Sequence, residues 1–185
     1  MVCLFLSTVV YFFIKTIEKK EEQKMNKTYL TKSYEETQKL GEKFAHDLSG
    51  GDVVLLFGDL GAGKTTFMQG LAKGLGVKKR IISPTFIIMR TYEVGLPSQG
   101  VLSENKEDSH TGSDIEKLYH IDLYRTETIK DIEGLGFFDI LQDKKAIIAI
   151  EWPEKLGEHL PKGAWVVKCS YIDDTTRQII ITKRD

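Results

Sequence analysis

One stretch constrains this chain more than any other. The apolar run VVLLF, residues 53–57, leads directly into Gly58-Asp59-Leu60-Gly61-Ala62-Gly63-Lys64-Thr65. A continuous apolar run suits a strand covered on both faces. Downstream, Phe67, Leu71 and Leu75 lie on one stripe of a helix that Gly74 and Gly76 bring to an end. The glycine and Lys-Thr spacing between strand and helix is that of a phosphate-binding loop. Small residues let backbone N–H groups turn toward phosphate oxygens, and the helix N-terminus adds partial positive charge. Lys64 is expected against the β- and γ-phosphates, and the Thr65 hydroxyl on Mg²⁺. A dinucleotide fingerprint fails, because Thr66 holds the place of the third glycine counted from Gly61. The stretch therefore reads as a nucleoside triphosphate site.

The rest of the chain alternates strands with helices, which indicates an α/β domain. Residues 28–31 read as a short strand. Ser33 and Glu36 form a capping box, and Thr37, Leu40, Phe44 and Leu48 carry a helix to the Gly50-Gly51 break. Residues 86–92 are β-like, and 118–124 (LYHIDLY) alternate at period two. Residues 129–141 read as two helical pieces broken at Gly134 and Gly136. AIIAI at 146–150 is a second buried strand, closed by Glu151-Trp152-Pro153. Residues 164–171 and 177–182 form a hairpin across an Asp- and Thr-rich turn. The expected architecture is a single domain with a mixed, mostly parallel sheet flanked by helices and ending in a β-hairpin. The 93–117 stretch is polar and long for a connection in a compact domain.

Composition narrows the function. At 185 residues, one domain is the expectation, and 41% hydrophobic with 29% charged residues excludes a membrane bundle and a disordered chain. The net charge of −1 gives no basic excess for gripping nucleic acid through its phosphates alone. Two cysteines, Cys3 and Cys169, cannot build a disulfide framework, so a reducing, cytoplasmic setting is expected. Residues 1–14 are apolar and 15–27 densely charged. The run is short for a membrane span and lacks the positive lead and the cleavage site of a signal peptide. Met25 is expected to be the working start, with a short anchor as the alternative reading of residues 1–24; those residues lie outside the fold, 25–185 form the domain and no membrane partner is expected.

Hydrolysis needs acids at the ends of strands neighbouring the loop. Glu151, directly after a buried apolar run, has the setting of a metal-side acid, and Asp122 lies in LYHIDLYR. The bland alternatives are an exposed strand terminus for Glu151 and an exposed carboxylate on a half-buried strand for Asp122. Ser83-Pro84-Thr85 occupies the position from which switch segments sense a γ-phosphate, although Ser-Pro-Thr is also ordinary turn chemistry. Trp152 either packs beside a nucleotide or belongs to the core. Arg90 and Arg125 are candidates for charge stabilisation, a role most surface arginines lack. His46, His110 and His159 have no partners at ligand spacing. His120 shares a strand face with Asp122 without a cysteine, which argues against zinc.

Taken together, GDLGAGKTTF, SPTF, LYHIDLYR, GLGFFDIL and IEWPEKL stand in the order and approximate spacing of the TsaE family, and the resemblance runs from about residue 28 to the C-terminus. The phosphate loop is shared with many enzymes; LYHIDLYR together with IEWPE is far more specific. The resemblance implies a compact P-loop NTPase-like fold and an ATPase using ATP and Mg²⁺. It also implies partnership with TsaB and TsaD, which transfer a threonylcarbamoyl group to N6 of adenosine 37 in tRNAs reading codons that begin with A. The tRNA is then met through those partners, and the ATPase supports or resets the transferase. By position, Gly61, Ala62, Gly63, Lys64, Thr65 and Thr66 resemble the phosphate cradle. Thr65, Glu151 and Asp122 resemble the metal-associated groups, and Asp122 and Thr85 resemble residues needed for hydrolysis. Thr37 and Arg177 resemble nucleotide contacts. The 93–117 stretch exceeds the family's usual hairpin, and residues 1–24 are outside its pattern.

Two rival functions stand beside this one. A small-molecule kinase would close an arginine-bearing lid over its donor, but 93–117 contains no arginine. A binding module that hardly hydrolyses ATP would have little use for Asp122, Glu151 and Thr85.

Overall fold

The computed structural model describes residues 27–84, 87–95, 115–128 and 130–184. Seven strands form one sheet in the order β1-β7-β6-β2-β5-β4-β3. They are β1 (Lys27–Thr31), β2 (Val53–Phe57), β3 (Met89–Glu93), β4 (Lys117–Asp122), β5 (Ala146–Glu151), β6 (Trp165–Tyr171) and β7 (Arg177–Lys183). The helices are α1 (Tyr34–Phe44), α2 (Lys64–Gly74), α3 (Lys130–Glu133) and α4 (Phe137–Ile140), with 3₁₀ turns at Ala45–Asp47 and Pro153–His159.

The sheet is mixed, as expected, but not mostly parallel. The pairings β6–β2, β2–β5 and β5–β4 are parallel, whereas β1–β7, β7–β6 and β4–β3 are antiparallel. The short β6–β7 turn and the longer return from β3 to β4 each bring a strand back antiparallel, and β1 adds antiparallel to the outer edge of β7. The parallel block is the centre, where β2 and β5 sit side by side.

Alternation along β2 and β5 splits their side chains between two cores. Val54, Leu56, Ile147 and Ala149 face α1 and α2 with Phe44, Phe67, Met68 and Leu71. Val53, Leu55, Ile148 and Ile150 face the short helices with Ile132, Phe137 and Leu156. Complete burial of each such side chain contributes about 1.5–3 kcal/mol, and both central strands are apolar on both faces as a result.

Helices α1 and α2 lie unusually close. A Cβ on Gly70 would stand 1.9 Å from the Gln38 carbonyl oxygen, and one on Gly41 2.2 Å from that of Phe67. At the start of α1, Ser33 Oγ accepts from the Glu36 N–H at 3.2 Å. Glu36 reaches back one residue further than a capping box requires, accepting from the Lys32 N–H at 2.7 Å.

Three boundaries move. The first helix ends at Phe44 rather than Gly50, its last turn tightening into the 3₁₀ piece while Leu48 turns extended and stays buried. Strand β3 starts at Met89, because Ile88 takes a left-handed backbone with φ 62°. Strand β4 stops at Asp122, where the Tyr124 N–H turns back to Asp122 Oδ1 at 3.0 Å. The polar 93–117 stretch is the excursion of a hairpin: Glu93 pairs with Lys117, and 96–114 lie outside the described residues, as do 1–26. Among the described residues no helix is long and apolar enough to cross a membrane.

Candidate functional site

The loop leaves the C-terminal end of β2 and enters α2, held open by three glycines with positive φ: Gly58 at 137°, Gly61 at 78° and Gly63 at 101°. Side chains resist this conformation, and at Gly58 a Cβ would also meet the Cys169 carbonyl oxygen at 2.2 Å. Gly63 is the N-cap of α2 and brings no side-chain oxygen to the first turn, which also holds no acid. The leading N–H groups of α2 therefore remain available to an anion, with the helix dipole behind them. Ala62 packs into the core below. Thr66 lies half-buried on the first turn. Burial pushes the Cys169 thiol, beneath the loop, up to about 12, so it serves as packing.

Lys64 is 5% exposed. Its Nζ donates to the carbonyl oxygens of Gly58 at 2.6 Å and Asp59 at 2.9 Å, and lies 3.9 Å from the centre of the Trp152 indole. Burial holds the ammonium below its ordinary pKa, and the nearby Glu151 carboxylate pulls the other way. Trp152 has φ 59° although Pro153 follows it, a backbone that the proline disfavours and that turns the indole over the lysine. It stacks at a tilt on Tyr124, with ring centres 5.0 Å apart. The two readings of Trp152 thus merge: half-buried, it packs on the loop's own lysine.

Thr65 Oγ1 donates to Glu151, at 3.1 Å from Oε1 and 3.0 Å from Oε2. Glu151 is 2% exposed and Asp122 3% exposed, which removes the exposed-carboxylate alternative for each. The two acids are register partners on β5 and β4. Asp122 Oδ2 accepts from Ser83 Oγ and Oδ1 from the Tyr124 N–H. Thr85 lies outside the described residues.

Thr37 and Arg177 flank the far side of the loop. A Cβ on Gly63 would stand 3.6 Å from Arg177 Cγ and 3.9 Å from Thr37 Cγ2. Thr37 turns its methyl to the loop, while its hydroxyl donates to the Ser33 carbonyl at 3.1 Å and pairs with Thr31 Oγ1 at 2.7 Å. Arg177 Nε donates to the Gly61 carbonyl at 3.2 Å and its guanidinium stacks over Tyr171. Arg90, on edge strand β3, and Arg125, after β4, are both exposed. A groove of about 1000 Å³ between α1 and the β1 edge, lined by Tyr29, Leu40, Phe44 and Trp165 among others, shares no residue with the loop.

His120 adds a contact that motif spacing alone does not reveal. Fully buried on β4, it places Nε2 2.9 Å from Glu151 Oε1. The signal in the sequence is its position two residues before Asp122, which puts both on the α2 side of the sheet. Among the described residues no three His, Cys, Asp or Glu side chains gather as a metal cage. A hydroxyl and one or two carboxylates nevertheless fit Mg²⁺, which keeps several waters and takes its remaining oxygens from phosphates.

Known proteins resemble this chain over most of its length. The family model described as "Threonylcarbamoyl adenosine biosynthesis protein TsaE" matches residues 31–179. A curated tRNA threonylcarbamoyladenosine biosynthesis protein TsaE from Nostoc sp. is 35% identical over 171 residues, covering 90% of this chain and 91% of its own. The protein of that name from Bacillus subtilis is 34% identical over 148 residues, covering 80% of each. The crystal structure of Bacillus subtilis YdiB superimposes with a TM-score of 0.60 at 30% identity, covering 86% of both chains.

Proposed function

The chain belongs to the TsaE family, and from that premise we propose that it binds ATP with Mg²⁺ at the Gly58–Thr66 loop and hydrolyses it slowly, supporting TsaB and TsaD in tRNA threonylcarbamoyladenosine biosynthesis. The observation that carries the ATPase reading is the bond from Thr65 to both oxygens of the Glu151 carboxylate, below a loop whose glycines have positive φ. This is a metal-side pair already assembled at the mouth of an anion site.

In this reading the α2 N-terminal N–H groups and the loop backbone hold the β- and γ-phosphates. Lys64 moves its ammonium from the Gly58 and Asp59 carbonyls to the phosphate oxygens, and Trp152 keeps the lysine stem in place. Thr65 and Glu151 hold the ion, whose charge, when bound, offsets that developing on the transferred phosphoryl group. Asp122, buried and held between Ser83 and the Tyr124 N–H, orients the attacking water, and Thr85 is assigned to the same step. Thr37 and Arg177 contact the nucleotide on the far side of the loop. The partners meet the tRNA, consistent with a chain of net charge −1.

Product analysis tests the reading. Incubation with ATP and Mg²⁺ is expected to release inorganic phosphate without phosphorylating a small-molecule acceptor. A phosphorylated acceptor would make the protein a kinase, and stoichiometric ATP binding without phosphate release would make it a binding module.

A further inference from the structure

The His120 imidazole is wholly buried, and only one of its nitrogens has a partner. Nε2 meets Glu151 Oε1 at 2.9 Å, while Nδ1 has no hydrogen-bond partner among the described residues. This asymmetry favours one tautomer. A proton on Nδ1 would leave a buried donor unsatisfied and turn the Nε2 lone pair against a carboxylate, two penalties at once. A proton on Nε2 alone satisfies the carboxylate and leaves one acceptor bare, a single penalty instead of two.

We propose that His120 is the positioning residue of the metal-side acid: its Nε2–H anchors Glu151 Oε1, so that the carboxylate faces Thr65 before any ion arrives. Thr65 reaches both carboxylate oxygens, and His120 holds Oε1 alone from below. Asp122, the next residue along the same strand face, lies beside Glu151 in register, and its own oxygens are held by Ser83 and the Tyr124 N–H. The anchor therefore keeps Glu151 from swinging on its flexible stem. A group in this position orients the ligand without touching nucleotide or phosphate, as outer-shell partners of metal ligands do. The inference rests on the proposed Mg²⁺ and ATP reading of the site.

The test compares His120→Leu, which removes the donor, with His120→Gln, whose amide nitrogen reaches as far from Cα as imidazole Nε2 does. Mn²⁺ binding is followed by electron paramagnetic resonance with a non-hydrolysable ATP analogue. His120→Leu is expected to weaken Mn²⁺ binding about tenfold or more, as removal of outer-shell partners does, and His120→Gln to stay within about threefold of wild type. In a Glu151→Gln background His120→Leu should add no further loss. Equal Mn²⁺ affinity in wild type and His120→Leu, or equal losses in Leu and Gln, overturns the proposal. A wild-type protein that binds no Mn²⁺ with nucleotide refutes the ATPase reading instead. The tautomer is checked independently by ¹⁵N resonances of labelled histidine in the wild-type chain. An Nε2–H pattern for His120 is expected, and an Nδ1–H pattern overturns the proposal even if His120→Leu does not fold.

Discussion

Lys64 carries a charge where burial disfavours one, and the loop compensates with two carbonyl oxygens and an indole face. In the proposed site the same charge would meet the nucleotide phosphates. Lys64→Ala is therefore expected to abolish phosphate release and to weaken ATP binding, and Thr65→Ala to abolish release; a turnover assay paired with equilibrium nucleotide binding reads both. The acids are expected to matter for chemistry more than for folding. Glu151→Gln and Asp122→Asn should lower turnover by at least about tenfold, equivalent to some 1.4 kcal/mol on the barrier, with unchanged circular dichroism. Normal turnover in a folded variant would return that residue to a packing role. At this scale the loop was legible because its chemistry is local in sequence. The Glu151 and Asp122 side chains were placed in the sheet correctly, but their burial depends on α2 and the 81–84 segment closing over them. Trp152 was legible as a candidate beside the nucleotide and His120 as a neighbour of Asp122, but the His120–Glu151 contact depends on the β4–β5 register and the indole's place over Lys64 on a backbone that Pro153 argues against.

Strands and helices were readable wherever periodicity was long. The apolar runs in β2 and β5, the Phe67-Leu71-Leu75 stripe and the C-terminal hairpin all form. The misjudged ends belong to tertiary structure: Ile88 breaks the start of β3, and the first helix gives way to a 3₁₀ turn after Phe44. The close approach of α1 to α2 was hidden as well, because a glycine within a helix does not announce what will press against it. Gly70→Ala should gain helix propensity yet lose stability, since its methyl would stand 1.9 Å from a backbone oxygen and the helices must part. Overpacking of this kind costs about 1–3 kcal/mol. At about 2–4 °C per kcal/mol for a domain of this size, a thermal midpoint several degrees lower is expected by calorimetry. A midpoint unchanged or raised would show that the helix pair yields without strain.

For the whole molecule, the parallel centre of the sheet brings the ends of β2, β4 and β5 to one side, and every described candidate in the metal pair and the acids comes from those ends or from α2. The antiparallel edges came out larger than the sequence suggested, because β1 joins β7 to extend the C-terminal hairpin to three strands. Strand β1 begins at Lys27 and the family match at residue 31, so a chain begun at Met25 is expected to keep the thermal midpoint and ATP turnover of the full sequence. An insoluble or inactive shorter chain would make residues 1–24 part of the working protein. Phosphate release measured with and without the TsaB–TsaD complex separates a slow, partner-regulated ATPase from a plain hydrolase. P-loop switches lacking a full set of charge-stabilising groups turn over at about 10⁻⁴ to 10⁻² s⁻¹ alone, and a basal rate in that range that rises when the partners are added is expected. Fast hydrolysis by the lone protein, indifferent to TsaB–TsaD, would contradict it.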